Sequence, residues 1–298
     1  MTILFAAPGA GLGHLVRASA VGLALERLAL KTRIVTNSPY AAGLGRLTGL
    51  TVDHLPSRRW PAQVRAYAAA LKPTLVVLDA FPFGLRGEWR DPPPGLRFAL
   101  LARRLKVRAY LEAAGVEWDP AAPTLERIIQ IEPLGEDLLG LLALRGTDPR
   151  TLTGRIRFPA GDFPTPVPGG LAEVLDSGRA WLVVHSGPEK EVRRLWDLAA
   201  ADLEKNGGGR LAAILPRETD GIPGPVFEYF PAARLYNRAF RVITGAGYNS
   251  LAEAALEPEK HLLCPFTRRY DDQAARLAGP PPGPGDGAME AARLLAEW

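Results

Sequence analysis

Thr244-Gly-Ala-Gly-Tyr-Asn-Ser-Leu-Ala-Glu253, entered from the apolar run Arg241-Val-Ile243, has the pattern of a strand feeding a small-residue turn that opens a helix. Backbone N–H groups around Gly245 and Gly247 would have no intrahelical partner there, and the positive end of the helix dipole favours an anion beside them. Asn249 and Ser250 add side-chain donors in the first turn. Glu253 lies one turn beyond Asn249 and projects over the same helix end, where a carboxylate can accept both hydroxyls of a ribose. A phosphate cradle followed by a ribose carboxylate reads as nucleotide recognition. For Gly-x-Gly alone, an ordinary strand–turn–helix junction stays open as the other reading.

A second glycine loop adds weight. Thr2-Ile-Leu-Phe-Ala-Ala7 is a buried-strand run, Pro8-Gly-Ala-Gly-Leu-Gly-His14 is a turn, and Leu15 to Leu28 is rich in Ala and Leu at helical spacing. A dinucleotide fold fails on two counts. The last glycine of G-x-G-x-x-G would fall at His14, and no acid ends the next strand, Arg33-Ile-Val-Thr-Asn37. A histidine at a helix start beside a flexible loop is placed for proton transfer or for contact with an anion.

Between these loops the chain alternates strand and helix, which calls for an α/β fold with parallel sheets. Strands are expected at Ile3–Ala7, Arg33–Thr36, Thr51–Leu55, Leu75–Leu78, Phe98–Ala102 and Arg127–Ile131, then at Ala180–Val184, Leu211–Leu215, Val226–Tyr229, Val242–Thr244 and His261–Cys264. A chain of 298 residues that is 47% hydrophobic can bury two cores, so two domains are the natural count. The boundary is expected in Phe158–Gly170, whose prolines and glycines suit an extended hinge, dividing residues 1–158 from 159–298. A final helix over 288–298 carries Met289, Ala292, Leu295 and Trp298 at spacing three.

Ligands of α/β sheets bind beyond the carboxyl ends of the strands. That rule gathers the His14 loop, Asp79, His185-Ser-Gly-Pro188 and Gly245–Gly247, with Ser186 and Gly187 offering a hydroxyl and an N–H to phosphate. Asp79 reads equally as a helix cap, and His185 as a strand-end residue satisfied by backbone; His54 and His261 look structural.

Composition narrows the partners. The net charge of +4 favours anionic ones, and no aromatic-interleaved basic motif points to nucleic acid. The densest basic clusters, Arg58-Arg59-Trp60 and Arg103–Arg108, read first as solvated faces and second as contacts to a lipid surface. No apolar run reaches the roughly 20 residues that span a bilayer, and the sequence starts directly in a strand, so a cytoplasmic protein is expected, with peripheral contact to the inner membrane face as a further option. The one cysteine, Cys264, excludes an internal disulfide and reads as a buried strand residue.

Taken together, the two loops resemble those of glycosyltransferases of the GT-B fold. Gly247-Tyr-Asn-Ser-Leu-Ala-Glu253 is similar to the Gly-Trp-Asn-Ser-x-x-Glu core of the sugar-nucleotide signature of plant and other UDP-glycosyltransferases, and Cys264-Pro-Phe266 with Asp271-Asp-Gln-Ala-Ala-Arg-Leu-Ala278 resembles its closing Pro, Asp-Gln and helix. The N-terminal loop is similar to that of the N-acetylglucosaminyltransferase that makes lipid II, and Gly13-His14-Leu-Val-Arg17 resembles a Gly-His-x-x-Arg pattern of related bacterial proteins. Gly245 stands where the plant signature carries a histidine, and the opening Trp and Gln of that signature have no counterpart here.

The resemblance implies two Rossmann-like domains facing across a cleft, with the final helix packing back on the first. It also implies metal-independent, inverting transfer from a nucleoside diphosphate sugar, with UDP foremost and no cofactor, to a lipid or small-molecule hydroxyl. In that reading His14 is the general base and Asp79 orients it. The donor is held by Gly11, Gly13, Ser186, Gly187, Gly245, Gly247, Asn249, Ser250 and Glu253, with Asp272 and Gln273 on the sugar and Phe227 on the base. Two rivals share the fold: a nucleotide-sugar hydrolase of the pseudaminic-acid type, and a sugar-nucleotide binder without turnover.

Overall fold

A computed structural model describes residues 1–9, 11–119, 123–144, 147–216, 221–280 and 283–297. It divides into two compact units. The first comprises Met1–Phe158, Thr267–Asp272 and Gly279–Trp298; the second comprises Pro159–Phe266 and Gln273–Ala278.

The first unit runs β1 (Thr2–Ala7), α1 (Gly13–Arg27), β2 (Lys31–Thr36), α2 (Ala41–Thr48), β3 (Thr51–His54), α3 (Trp60–Leu71), β4 (Leu75–Asp79), β5 (Phe98–Ala102), α4 (Val107–Ala114), β6 (Leu125–Gln130), α5 (Glu136–Ala143), β7 (Arg150–Thr151) and β8 (Gly154–Arg155). Seven strands form a parallel sheet in the order β3-β2-β1-β4-β5-β6-β7. Helices on both faces explain why β4 and β5 are apolar at almost every position. Alternate residues serve opposite faces. Leu4 and Ala6 join Val76, Leu78, Trp60 and Trp89 in one core, whereas Ile3 and Phe5, equally buried, point the other way.

The second unit runs α6 (Gly169–Asp176), β9 (Ala180–Val184), α7 (Glu189–Lys205), β10 (Arg210–Leu215), β11 (Val226–Glu228), β12 (Arg241–Gly245), α8 (Tyr248–Ala254), β13 (His261–Cys264) and α9 (Gln273–Leu277). Its five strands are parallel in the order β11-β10-β9-β12-β13. Leu182 and Val242 pack with Leu171 and Tyr236 on one face; Trp181, Val183 and Ile243 pack with Leu195 and Trp196 of α7 on the other. The chain closes with β14 (Gly283–Asp286) and α10 (Gly287–Ala296), both grouped with the first unit.

All eleven expected strands form, and three short ones escaped the sequence reading. β7 has two residues, and β8 pairs with β14, a run of Gly, Pro and Asp with no apolar alternation to betray it. In α10 the buried residues are Gly287, Ala288, Ala291, Ala292 and Leu295; Met289 is only half-buried, so the buried stripe is rotated from the expected one, and Trp298 lies outside the described residues. Asp286 caps this helix by accepting from the N–H groups of Ala288 and Met289.

From Pro159 on, the Pro-rich segment groups with the second unit and makes hydrogen bonds there. Arg234 donates to the carbonyls of Phe163 and Thr165, Tyr229 donates its hydroxyl to Thr165, and the Thr165 hydroxyl donates to the Phe230 carbonyl. Among the described residues, no helix is long and apolar enough to cross a membrane.

Candidate functional site

Both sheets reverse their direction of growth at one point, and in such sheets that point opens a crevice at the carboxyl ends of the two strands flanking it. In the first unit those strands are β1 and β4. β1 delivers the glycine loop: Gly9 adopts a φ of +137°, which a side chain would strain, and its N–H donates to Asn37 Oδ1 at 2.6 Å. α1 then starts at Gly13, so His14 stands in its first turn. β4 delivers Asp79, followed by Ala80 at a φ of +72°. A positive φ at a non-glycine residue stores strain of about 1–3 kcal/mol, and here it falls at the turn that follows the carboxylate.

The two switch-point strands thus supply an ion-paired cluster. His14 Nδ1 lies 2.7 Å from Asp79 Oδ2. Arg17, one turn along α1, donates from Nε to Oδ1 at 2.8 Å and from Nη2 to Oδ2 at 2.7 Å. Asp79 is 1% exposed in its side chain and Arg17 2%, but His14 keeps 22%. Asp79 is therefore no helix cap. Burial alone would raise its carboxyl, yet the Arg17 guanidinium and then His14 outweigh that and hold it well below the usual carboxylate range. Burial lowers His14 below its ordinary value; Asp79 opposes this, while Arg17 and Arg103 reinforce it. The result is a neutral imidazole at pH 7, oriented by an ionised carboxylate. Phe81 flanks the imidazole, with ring centroids 5.7 Å apart.

In the second unit the flanking strands are β9 and β12. β9 leads into His185, whose Nε2 lies 2.8 Å from Glu191 Oε2. β12 delivers Gly245, followed by Ala246 and Gly247. Arg276 Nη1 donates to the Ala246 carbonyl at 3.5 Å, steadying the loop. Asn249 and Ser250 are half-buried in the first turn of α8. That helix is only seven residues long, so an anion here would be held by the loop amides rather than by a macrodipole. Glu253 accepts from the Tyr236 hydroxyl at 3.1 Å. Burial pushes its carboxyl up to about 7, with the Tyr236 hydrogen bond opposing the rise.

The other expected residues scatter. Ser186 is exposed and Gly187 lies against the His185–Glu191 pair. Phe227 sits on edge strand β11, three strands from β12, with its ring against Gly170; strands about 4.8 Å apart put it roughly 14 Å away. Gln273 is buried and accepts the Phe266 N–H at 2.9 Å, while Asp272, its neighbour in sequence, groups with the first unit. Gly11 and Gly13 border the His14 loop. The basic run Arg103–Arg108 is not a solvated face throughout: Arg103 reaches Asp271 at 3.8 Å and Lys106 Nζ donates to the Arg268 carbonyl.

Arg17, Glu191, Tyr236 and Arg276 were not assigned from the sequence. Arg17 alone had a signal, since i and i+3 share a helix face and His14 was already singled out. The others meet their partners only through the fold.

Comparison with known proteins then fixes the architecture. No protein-family model matches the chain, and no curated protein sequence matches it. Among solved structures, the spinosyn forosaminyltransferase SpnP aligns with a TM-score of 0.60 at 20% identity, over 100% of this chain and 91% of that one. The spinosyn rhamnosyltransferase SpnG complexed with thymidine diphosphate aligns at 0.58 and 16%, covering 93% of this chain and 84% of that one. The fold is that of the GT-B glycosyltransferases. A Listeria monocytogenes protein assigned as a UDP-N-acetylglucosamine 2-epimerase also aligns, at 0.51 and 11%, over 82% of this chain and 74% of that one. Likeness at this level assigns a GT-B fold, and the reaction has to be argued from the site.

Proposed function

We propose that this GT-B chain is a glycosyltransferase that moves a sugar from a nucleoside diphosphate donor to an acceptor hydroxyl with inversion. The observation that carries the reading is the His14–Asp79–Arg17 cluster at the first switch point. A neutral histidine on a fixed carboxylate is suited to take a proton from a hydroxyl. With its Nδ1 proton directed to Asp79, Nε2 is the basic nitrogen. The acceptor oxygen attacks the anomeric carbon as its proton passes to Nε2, and the bond from that carbon to the diphosphate oxygen breaks with both electrons leaving on the diphosphate. The imidazolium so formed is stabilised by Asp79.

On the donor side, the amides of Gly245–Gly247 with Asn249 and Ser250 take the diphosphate, and Glu253 takes the ribose hydroxyls. Protein groups carry this role, so the reaction as proposed is metal-independent. UDP leads as the donor nucleotide through the resembled signature; thymidine diphosphate, held by SpnG, stands beside it. Asp272 and Gln273, whose Oε1 also braces Phe266, are the candidates for donor-sugar hydroxyls.

A thermal-shift panel of UDP, dTDP and GDP with their sugar conjugates tests the nucleotide reading, because a ligand at 100 times its dissociation constant adds about 2.7 kcal/mol of stability. No stabilisation by any of them overturns it. Product analysis then decides the reaction: a glycosylated acceptor supports transfer, and free sugar from the same donor points to hydrolysis instead.

A further inference from the structure

The second switch point holds a His–carboxylate pair of its own. We propose that His185, held beside Gly245 by Glu191, hydrogen-bonds the donor diphosphate as it leaves. The proposal rests on the nucleotide-sugar reading and adds a residue to it.

Position is the first argument. His185 directly follows the central strand β9, and Gly245 ends its neighbour β12, so the imidazole stands at the mouth of the crevice where such sheets bind ligands. Shape is the second. A Cβ on Gly245 would sit 3.2 Å from His185 Cε1 and 3.3 Å from Phe266, so the imidazole occupies the space that a side chain at 245 would take. A Cβ on Gly187 would overlap His185 Nε2 and come within 2.7 Å of Glu191 Oε2. Both loops are glycine where they pass the pair, which lets the imidazole and the backbone amides share one small space. Phe266 backs the imidazole at 5.4 Å between ring centroids, and Arg194 lies over Phe266 at 5.8 Å.

Charge is the third. Loop amides are dipoles, and a seven-residue helix adds little to them, whereas a departing diphosphate carries full negative charge. Arg276 is turned to the Ala246 carbonyl. His185 stands beside Gly245 with the Glu191 carboxylate bonded to its ring at 2.8 Å, which fixes the imidazole where it can donate a hydrogen bond to the diphosphate. Glu191 is a positioning residue: buried in the first turn of α7, it acts through the imidazole.

Calorimetry with UDP, UMP and uridine, and with dTDP, dTMP and thymidine, on wild type, H185Q, E191Q and G187A tests this. His185→Gln should weaken UDP and dTDP by about 10- to 100-fold, the loss of one charge-assisted hydrogen bond, and leave uridine and thymidine nearly unchanged. Glu191→Gln and Gly187→Ala should move the same diphosphate-to-nucleoside ratio by less, and Glu191→Asp should restore part of it. A pair that merely holds the loop predicts lower melting temperatures with that ratio unchanged, which overturns the proposal. Should the variants fail to fold, the ring signals of His185, one of four histidines in the chain, are followed by NMR in the wild type. They should shift with UDP or dTDP and stay still with the nucleosides; no shift overturns the proposal. If the wild type binds none of the nucleotides, both this inference and the function it rests on fall. If it binds them and H185Q binds them equally, only this inference does.

Discussion

Arg17 grips both oxygens of Asp79, from Nε to Oδ1 at 2.8 Å and from Nη2 to Oδ2 at 2.7 Å, so His14 meets a carboxylate whose plane is already fixed. A buried charge left without its partner is costly, so Arg17→Met should lower unfolding free energy by about 3–5 kcal/mol in urea melts at pH 7. Arg17→Lys keeps the charge but loses the two-pronged geometry, and should cost less. A melt of R17M matching the wild type would show that Asp79 does not need the guanidinium.

His14→Ala should cut turnover by about 10²–10⁴-fold while UDP or dTDP affinity changes little, because a general base is felt mainly in the transition state. A drop in nucleotide affinity together with a lower melting temperature would instead mark the residue as a packing element of α1.

The pH profile follows from the same cluster. Burial holds the folded pKa of His14 below 6.5, and the base must be neutral to act. Turnover should therefore be level through neutrality and fall only in acid, below pH 6.5, with D79N removing the plateau by freeing the wrong ring tautomer. The sign for stability runs the same way: the native state resists protonating His14, so its contribution is present above 6.5 and lost as pH falls past the folded pKa. A profile that breaks above 7 would assign the base elsewhere.

Much of this fold is legible in local pattern, and the site only in part. Parallel strands buried on both faces announce themselves as apolar runs such as Leu75-Val-Val-Leu78, and the glycine loops mark two of the strand ends that matter. Asp79 and His14 could be paired because one rule places both at strand ends. Glu191 could not: it sits six residues after His185, and only the loop across Gly187 turns its carboxylate back onto the ring. The rotated face of α10 went unread for a related reason. Alanine carries little signal, and three of its buried residues are Ala288, Ala291 and Ala292.

β8 and β14 approach each other closely through backbone. A Cβ on Gly154 would overlap the carbonyl of Gly285, and one on Gly287 would come within 2.6 Å of the Gly154 carbonyl. Gly154→Ala should thus pry β14 from β8 and loosen α10, which packs on α1. The expected readout is a melting temperature lowered by several degrees and faster proteolytic clipping near residues 279–297, since overpacking costs about 1–3 kcal/mol. An unchanged proteolysis rate would show that the close approach relaxes without consequence.

Glu253 offers a test that separates a ligand-reading carboxylate from a structural one. Its folded pKa is raised from 4.5 to about 7, chiefly by burial, so the native state binds this proton more tightly than the unfolded chain does. Stability should then fall as pH rises from about 4.5 to 7, by about 3 kcal/mol in all, since each tenfold difference in proton affinity is worth about 1.4 kcal/mol. Glu253→Gln, which does not titrate, should remove that slope and be the more stable protein at pH 8, with the gap closing towards pH 4.5. If Glu253 also accepts the ribose hydroxyls, E253Q will bind UDP and dTDP about tenfold or more weakly despite its greater stability. Wild-type binding near pH 7 will then release a proton, seen as a dependence of the calorimetric heat on buffer ionisation enthalpy. Equal affinity in both proteins, with no proton release, would leave Glu253 as a buried partner of Tyr236 and return the search for the ribose contact to Asn249 and Ser250.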